Sequence, residues 1–232
     1  MRKSKPLVSV IIPVFNEEHT VGDVVKRAKS TLESAGLSYE LLVVDDGSSD
    51  NSIKMALSSH AKVLALKRHV GKGYALRAGF SKAQGEIIVT LDSDGSHDPS
   101  ELLNVIEPVL KGEADLSIGS RFLNRQNVFR KGVNKVGAQI LNFIIRFLTG
   151  CKLSDSQSGY RAFKSSMIKV ITLKSVGYEI ESEMLIKAIK HGFRTKEVPI
   201  RFEQRTYGKS SLDPIKDGLR ILIVSLTAFL GD

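Results

Sequence analysis

The sequence lacks tryptophan, contains one cysteine and has no long uninterrupted hydrophobic run. Because a lone cysteine, Cys151, cannot form an internal disulfide, the disulfide-stabilised secreted domains are excluded and a reducing compartment is indicated. No stretch approaches the roughly 20 apolar residues that a membrane-spanning helix needs. The apolar segment at residues 7–14 is too short for a signal peptide, so we expect a cytoplasmic location.

What the sequence does contain is positive charge and enough apolar residues for a core. Its 34 Lys and Arg against 25 Asp and Glu give a net charge of +9, and 42% of its 232 residues are hydrophobic. Such a surplus calls for an anionic partner: the phosphates of a nucleotide, a nucleic acid or a membrane surface. Without tryptophan for stacking and without a helix-turn-helix pattern, a nucleic-acid-binding module is the weakest of these, and we expect no nucleic acid partner.

Apolar β-branched runs alternate with helical patterns over the first 120 residues. Strands are predicted at residues 7–15, 40–45, 62–67, 86–91 and 115–119, with helices at 20–35, 71–83 and 99–110. This alternation predicts an α/β fold in which a mostly parallel sheet carries helices on both faces.

The pattern changes after residue 120. A basic loop is followed by an apolar-rich helix at 133–148, a polar loop at 155–161, a helix at 181–191 and a strand at 197–202. Pro199 favours an edge position for that strand. The chain closes on an apolar helix near 214–230. Both apolar helices are either buried, paired at a dimer interface or laid on a bilayer surface.

Polar and acidic clusters follow three of the predicted strands, where parallel strands present their carboxyl ends and bind ligands. They are Asn16-Glu17, Asp45-Asp46 and the pair Asp92 and Asp94. The i, i+2 spacing of the last pair points both carboxylates to one side of an extended chain. The two either are solvated turn residues or bind a hard cation such as Mg²⁺ or Mn²⁺.

Seven motifs occur in an order that resembles the family 2 glycosyltransferases of the GT-A fold. They are VIIPVFNE (10–17), VVDDGSSD (43–50), GKGYALRAG (71–79), LDSDGSH (91–97), GSR (119–121), DSQSGYR (155–161) and RTYGKS (205–210). The dolichyl-phosphate mannose synthase group is the most similar. The resemblance implies an inverting enzyme with a nucleotide-sugar donor, a divalent metal and an isoprenoid phosphate acceptor.

The resemblance also assigns roles to individual residues. The base and ribose would be held by Pro13, Phe15, Glu17, Val44 and Asp46. Asp92 and Ser93 would line the donor pyrophosphate, Asp94 and Ser96 would bind the metal, and Arg121 would contact the phosphates. Arg130 is the candidate for a second acceptor-phosphate cation, and Arg205 would clamp the pyrophosphate. The catalytic set is then Asp92, Asp94 and Arg121, with Lys72 and Ser211 added to the donor site.

Three departures from the mannose synthases leave the sugar and nucleotide open. Ser93 stands where they usually have Ala, and Ser211 stands where many have Lys. The 155–159 loop and the tail after Ser211 resemble archaeal-type polyprenyl-phosphate sugar transferases instead. GDP-mannose is the first choice of donor, with UDP-glucose or UDP-N-acetylglucosamine as alternatives.

An isoprenoid phosphate is already anionic at neutral pH, so its transfer needs no strong general base. A rival family 2 enzyme acting on a sugar hydroxyl would need a carboxylate base, and Glu183 would then be essential. Glu181 and Glu183, two positions apart at the start of a helix, do not share one face and are either helix N-terminal charges or site residues. His69 and His97 are interpreted as polar loop residues, and Asp155 and Arg161 as a pair that shapes the acceptor loop. A nucleotidyltransferase is a further rival, but its Gly-rich activation motif is absent.

We therefore expect a GT-A catalytic domain at residues 1–212, with a nucleotide-sugar half at 1–120 and an acceptor half at 121–212. Residues 213–232 are predicted as an amphipathic helix that lies on the membrane surface. With basic residues nearby, the two apolar helices would dock the enzyme peripherally on the cytoplasmic face of a membrane.

Overall fold

The computed structural model describes residues 6–124, 133–203, 205, 207–208 and 213–231. In that part of the chain the strands are β1 (Val8–Val14), β2 (Tyr39–Asp45), β3 (Lys62–Ala65), β4 (Ile87–Thr90), β5 (Leu116–Ser120), β6 (Arg161–Lys164) and β7 (Thr195–Pro199). The helices are α1 (Val21–Ser34), α2 (Ser52–Ser58), α3 (Lys72–Phe80), α4 (Leu102–Leu110), α5 (Val133–Thr149), α6 (Ser165–Val170), α7 (Ile180–Lys190) and α8 (Lys216–Leu230). A short 3-10 turn at Pro99–Glu101 precedes α4.

One sheet joins all seven strands in the order β3-β2-β1-β4-β6-β5-β7. The pairs β1–β2, β1–β4, β2–β3 and β5–β7 are parallel, whereas β6 runs antiparallel to both β4 and β5. The predicted mostly parallel sheet is confirmed. So is the edge position of the strand containing Pro199, since β7 ends the sheet.

Hydrophobic cores cover both faces of the sheet because successive side chains of a strand point to opposite sides. Val10 and Ile12 of β1 face a core formed with α1 and α4, while Ile11 between them faces a second core formed with α3 and α7. Burying both faces explains why the central strands read as continuous apolar runs rather than alternating ones.

The predicted polar loop at 155–161 is too long by one residue, because Arg161 begins β6. This strand was not predicted, and neither was α6 directly after it. With four residues, β6 is too short to show a period of its own. Hydrogen bonds from β4 on one side and β5 on the other hold it in the sheet.

The two apolar helices are half-buried rather than wholly buried. In α5, Ile145 lies in the core, whereas Phe143 and Phe147 are 69% and 81% exposed. In α8, Ile221 is buried while Leu230 is 80% exposed. None of the helices among the described residues is long and apolar enough to cross a membrane.

Candidate functional site

The carboxyl ends of β2, β1 and β4 lie side by side and bring the predicted polar clusters together. At the end of β2, the carboxylate of Asp46 accepts backbone N–H groups of Val70 and Gly71 at 2.9 and 2.8 Å. The Nδ1 atom of His69 lies 2.8 Å from the same carboxylate. The His69 ring stacks on Phe15 at a centroid distance of 3.9 Å. His69 is therefore a loop residue, as interpreted, and it is held by Phe15 and Asp46.

Three residues assigned to the donor site are buried between the strands. Ser93 is buried and its hydroxyl donates to the carbonyl of Pro13 at 2.9 Å, which joins the loop after β4 to β1. Val44 is fully buried in the core beneath α3. Because the Val44 side chain exposes no surface, a base or ribose could contact this residue only at its backbone atoms.

A buried ion cluster surrounds Asp92. The ammonium of Lys72 lies 2.6 Å from Asp92 Oδ1 and 2.9 Å from Glu181 Oε1, and its side chain is 16% exposed. Burial alone would lower the pKa of Lys72, but the two carboxylates outweigh it and raise that pKa. Burial likewise opposes ionisation of Asp92, yet the Lys72 ammonium holds the pKa of Asp92 below its usual value. At neutral pH Lys72 is thus a cation and Asp92 a carboxylate.

His97 lies in the loop after β4, as interpreted, and is buried beside this cluster. It is 2% exposed, and its ring lies 5.4 Å from that of Tyr160 and 5.8 Å from that of Phe202. Its Nδ1 atom is 3.5 Å from Asp92 Oδ2, and neither ring nitrogen has a hydrogen-bond partner among the described residues. Burial lowers the pKa of His97, which favours the neutral imidazole.

A second buried ion pair joins Arg121 to Asp155. The Arg121 Nε and Nη2 atoms each donate to one Asp155 oxygen at 2.7 Å, in the bidentate arrangement that a guanidinium favours. Burial opposes ionisation of Arg121, but Asp155 raises its pKa. The expected Asp155–Arg161 pair is therefore wrong: Asp155 binds Arg121, and Arg161 donates to backbone carbonyls.

Three predicted residues remain: Arg130 and Arg205 were assigned to phosphates, and Ser211 was assigned to the donor site. Arg205 forms an ion pair with Glu17, so two residues assigned to the donor meet directly. The Arg205 Nε atom also donates to the carbonyl of Tyr207 at 2.7 Å. Arg130 and Ser211 lie outside the described residues.

The predicted metal site at Asp94 and Ser96 supplies an incomplete set of ligands. Asp94 is partly exposed, and its Oδ1 accepts the backbone N–H of Ser96 at 3.0 Å. Among the described residues, no three His, Cys, Asp or Glu side chains are grouped to hold a metal by themselves. A carboxylate and a hydroxyl fit a hard divalent cation whose other ligands are donor phosphates and water.

Glu181 and Glu183 occupy different environments although both lie in the first turn of α7. Glu181 faces the site and contacts Lys72. Glu183 accepts the backbone N–H groups of Lys174 and Ser175 at 2.9 and 2.8 Å and pairs with Lys187 at 2.7 Å. Glu183 therefore holds the loop before α7, and the base assigned to it by the hydroxyl-acceptor hypothesis is misplaced.

Sequence reasoning missed three residues that build the site. His97 was dismissed, Glu181 was not separated from Glu183, and Arg161 was given the wrong partner. Helical geometry shows that Glu181 and Glu183 point to different sides of α7, but not which of them faces the site.

Comparisons with known proteins agree with this geometry. A family model described as Glycosyl transferase family 2 matches residues 9–172. An uncharacterized protein of Methanocaldococcus jannaschii is 36% identical over 94% of this chain and 90% of its own. The glycosyltransferase AglJ of Haloferax volcanii is 33% identical over 91% of this chain and 68% of its own.

A solved structure extends the similarity to the whole sheet. The glucosyl-3-phosphoglycerate synthase of Mycobacterium tuberculosis, in complex with phosphoglyceric acid, has a TM-score of 0.78 and 25% identity over 98% of this chain and 81% of its own. Its complex with Mn²⁺, UDP and glucosyl-3-phosphoglycerate has a TM-score of 0.74 and 25% identity, over 97% of this chain and 80% of its own. The predicted GT-A fold is confirmed, and the Mn²⁺ complex agrees with the predicted divalent metal cofactor.

Proposed function

Because the chain belongs to glycosyl transferase family 2, we propose that it transfers a hexose from a nucleotide sugar to a polyprenyl phosphate at a membrane surface. The observation that carries the lipid acceptor is the position of α5. Its buried side holds the loop that fixes Arg121, and its other side presents Phe143 and Phe147 to the outside.

The contacts of Asn142 make the first half of this connection. Its Nδ2 atom donates to the carbonyl of Ser154, and its Oδ1 atom accepts the backbone N–H of Ser156 at 2.9 Å. These residues flank Asp155, which holds the Arg121 guanidinium. An acceptor phosphate near Arg121 would therefore have the apolar surface of α5 next to it for an isoprenoid chain.

The exposed apolar side chains of α8 extend the same surface. Ile223 and Leu230 are 52% and 80% exposed, while the buried side of α8 joins the core that contains Ile145 of α5. Arg146 and Arg220 are exposed on these two helices. Apolar side chains beside cations suit an interface with anionic lipid, so we propose that residues 213–232 and α5 dock the enzyme peripherally on the cytoplasmic face.

The charges of the site favour a donor whose diphosphate binds together with a divalent cation. Lys72 faces Asp92 and Glu181, and Arg121 faces Asp155, so each of these cations already has a carboxylate beside it. A bound divalent cation would neutralise charge on the departing diphosphate. Asp94 and Ser96 would hold that cation, while Lys72 and Arg121 would orient the phosphates.

The donor pocket lies between the ends of β1 and β2. Phe15 and His69 offer a stacked aromatic surface for a base, and Glu17 with Asp46 offers carboxylates for a ribose. GDP-mannose remains our first donor to test. The UDP complex of the Mycobacterium tuberculosis enzyme favours UDP-glucose as the next, with UDP-N-acetylglucosamine third.

One observation favours a second candidate, transfer to a hydroxyl. Glu181 points into the site and has the chemistry of a general base. Its contact with Lys72 at 2.9 Å favours the phosphate acceptor instead, because the carboxylate already faces an ammonium. Glu181→Gln separates the two: it would abolish transfer to a hydroxyl and leave a phosphate acceptor active.

The test of the proposal uses the purified protein with Mg²⁺, polyprenyl phosphate in vesicles and labelled GDP-mannose, UDP-glucose or UDP-N-acetylglucosamine. We expect label from one donor to enter the organic phase on extraction. Label that stays in the aqueous phase with every donor would overturn the lipid-phosphate acceptor.

A further inference from the structure

Arg161 is buried at the base of the site, where it donates hydrogen bonds in three directions. It is 1% exposed and is among the largest fully buried side chains of the described residues. Its Nε, Nη1 and Nη2 atoms donate to the carbonyls of Ser158, Glu181 and Ser156 at 2.8, 2.7 and 2.6 Å. The guanidinium therefore ties the 155–159 loop to the first turn of α7.

Both ends of this link adjoin Lys72. On the α7 side, the carbonyl that accepts from Arg161 belongs to Glu181, whose carboxylate contacts the Lys72 ammonium at 2.9 Å. On the loop side, the carbonyl of Ser158 directly precedes Gly159, whose own carbonyl accepts the Thr90 hydroxyl at 2.6 Å.

Gly159 shows how closely the loop backbone approaches the ion cluster. A Cβ added there would lie 2.7 Å from Lys72 Nζ and 2.8 Å from Asp92 Oδ2, closer than real Cβ atoms come. The loop thus forms one wall of the space that holds the Lys72–Asp92 pair.

A planar guanidinium suits this position because its five N–H donors point in fixed directions. A lysine keeps the charge but has a single nitrogen, which cannot reach carbonyls on two separate segments with the same geometry. Burial lowers the pKa of Arg161 to about 10, so the group is still a cation at neutral pH.

We propose that Arg161 is a positioning residue that sets the place of Lys72 by fixing Glu181 and Gly159 on either side of it. The proposal takes one point from the function proposed above, namely that Lys72 faces the donor diphosphate. It assigns to Arg161 no contact with the substrate.

The experiment measures binding of GDP and of UDP, each with Mn²⁺, by calorimetry in four proteins. These are the wild type, Arg161→Lys, Lys72→Met and the double variant. We expect Arg161→Lys to unfold cooperatively and to bind nucleotide about tenfold more weakly, because a displaced Lys72 weakens its charge-assisted hydrogen bond to the diphosphate, and the loss of one such bond has about this effect on affinity. In the Lys72→Met background the same change should cost less than about threefold, since neighbours that act through one another are not additive.

A purely structural Arg161 would behave differently. An equal loss in both backgrounds, or binding within about twofold of the wild type by folded Arg161→Lys, would overturn the proposal. Arg194→Lys is the matched control. Arg194 is exposed and pairs with Asp115 beside the amino-terminal ends of β5 and β7, so this variant should bind nucleotide like the wild type.

A second variant tests the link without altering the buried cation. Gly159→Ala places a methyl group against Lys72 and Asp92 and should weaken nucleotide binding about tenfold with Lys72 present and less than about threefold with Lys72→Met. Equal losses here would also refute the proposal. Because nucleotide binding needs no acceptor, these results are separate from whether polyprenyl phosphate is glycosylated.

Discussion

Removing Lys72 should damage the fold and the donor site together, and both effects can be worked out from its surroundings. Its ammonium lies between Asp92 and Glu181 at 2.6 and 2.9 Å, and those side chains are 24% and 5% exposed. Lys72→Met keeps most of the apolar stem and deletes the charge. Two carboxylates then face each other without a cation, and the pKa of Asp92, which Lys72 helps to hold low, rises.

Breaking a buried pair by removing one partner costs about 3–5 kcal/mol, because the remaining charge stays buried without compensation. A domain of this kind is stable by about 5–15 kcal/mol, so the variant should still fold. With a urea slope of about 3 kcal/mol per M, the unfolding midpoint should fall by roughly 1–2 M. Adding Glu181→Gln removes one of the facing carboxylates and should recover about 1 kcal/mol or more of that loss.

The assay is urea unfolding of Lys72→Met, Glu181→Gln and the double variant, followed by nucleotide binding with Mn²⁺. Stability should recover in the double variant, whereas nucleotide binding should not, because the cation is still missing. Lys111→Met is the control: its partner Glu107 lies at a similar 2.6 Å, but both side chains are more than half exposed. The control should lose no more than about 0.5 kcal/mol. A Lys72→Met midpoint equal to that of the wild type would refute the buried ion cluster.

Three further predictions follow from the other charged and apolar groups. After metal is removed with a chelator, adding Mn²⁺ should restore turnover in the wild type but not in Asp94→Ala, because the Asp94 carboxylate would hold the metal. The urea unfolding midpoint of this variant should equal that of the wild type. Burial raises the pKa of Glu183, but Lys187 and the backbone of the preceding loop outweigh it and lower that pKa from 4.5. Glu183→Gln should therefore cost about 1–3 kcal/mol in urea unfolding at neutral pH. The gap to the wild type should close as the pH falls below 4.5 and through the lowered pKa of the native Glu183 carboxyl. Serine in place of both Phe143 and Phe147 should weaken sedimentation with anionic vesicles while leaving the unfolding midpoint unchanged, because these side chains are exposed.

Each of these predictions has an outcome that contradicts it. Near wild-type turnover by Asp94→Ala would move the metal elsewhere. Loss of transfer in folded Glu183→Gln would restore Glu183 as a base and the hydroxyl acceptor with it. If the variant with serine at both Phe143 and Phe147 still binds vesicles, α5 is not part of the docking surface. The control for an intact site is the activity of this variant on a short-chain, water-soluble isoprenyl phosphate.

The convergence of the strand ends could be predicted because it depends on local patterns. Apolar runs separated by helical segments give parallel strands, and parallel strands present Asn16-Glu17, Asp45-Asp46 and the Asp92–Asp94 pair at one edge. The edge position of Pro199 depends on a missing N–H, which is a property of the residue itself. Such features need no knowledge of how distant segments pack.

What could not be predicted depends on long-range packing. Asp155 pairs with Arg121, 34 positions away, rather than with Arg161 in its own loop. The burial of His97 requires Tyr160 and Phe202 to close over it. Which of Glu181 and Glu183 faces the site is fixed by the rotation of α7 against the core, and β6 exists because β4 and β5 leave room for a strand between them.

Competition between acceptors shows whether the enzyme transfers its sugar to an isoprenoid phosphate. The enzyme, Mg²⁺ and its labelled donor are mixed with equal amounts of polyprenyl phosphate, the matching polyprenol, a free sugar and 3-phosphoglycerate, and the labelled product is identified by mass. We predict that the label is recovered on polyprenyl phosphate, in the wild type and in Glu181→Gln alike. Label on the polyprenol, the sugar or 3-phosphoglycerate, with polyprenyl phosphate unmodified, would show that the acceptor is not an isoprenoid phosphate.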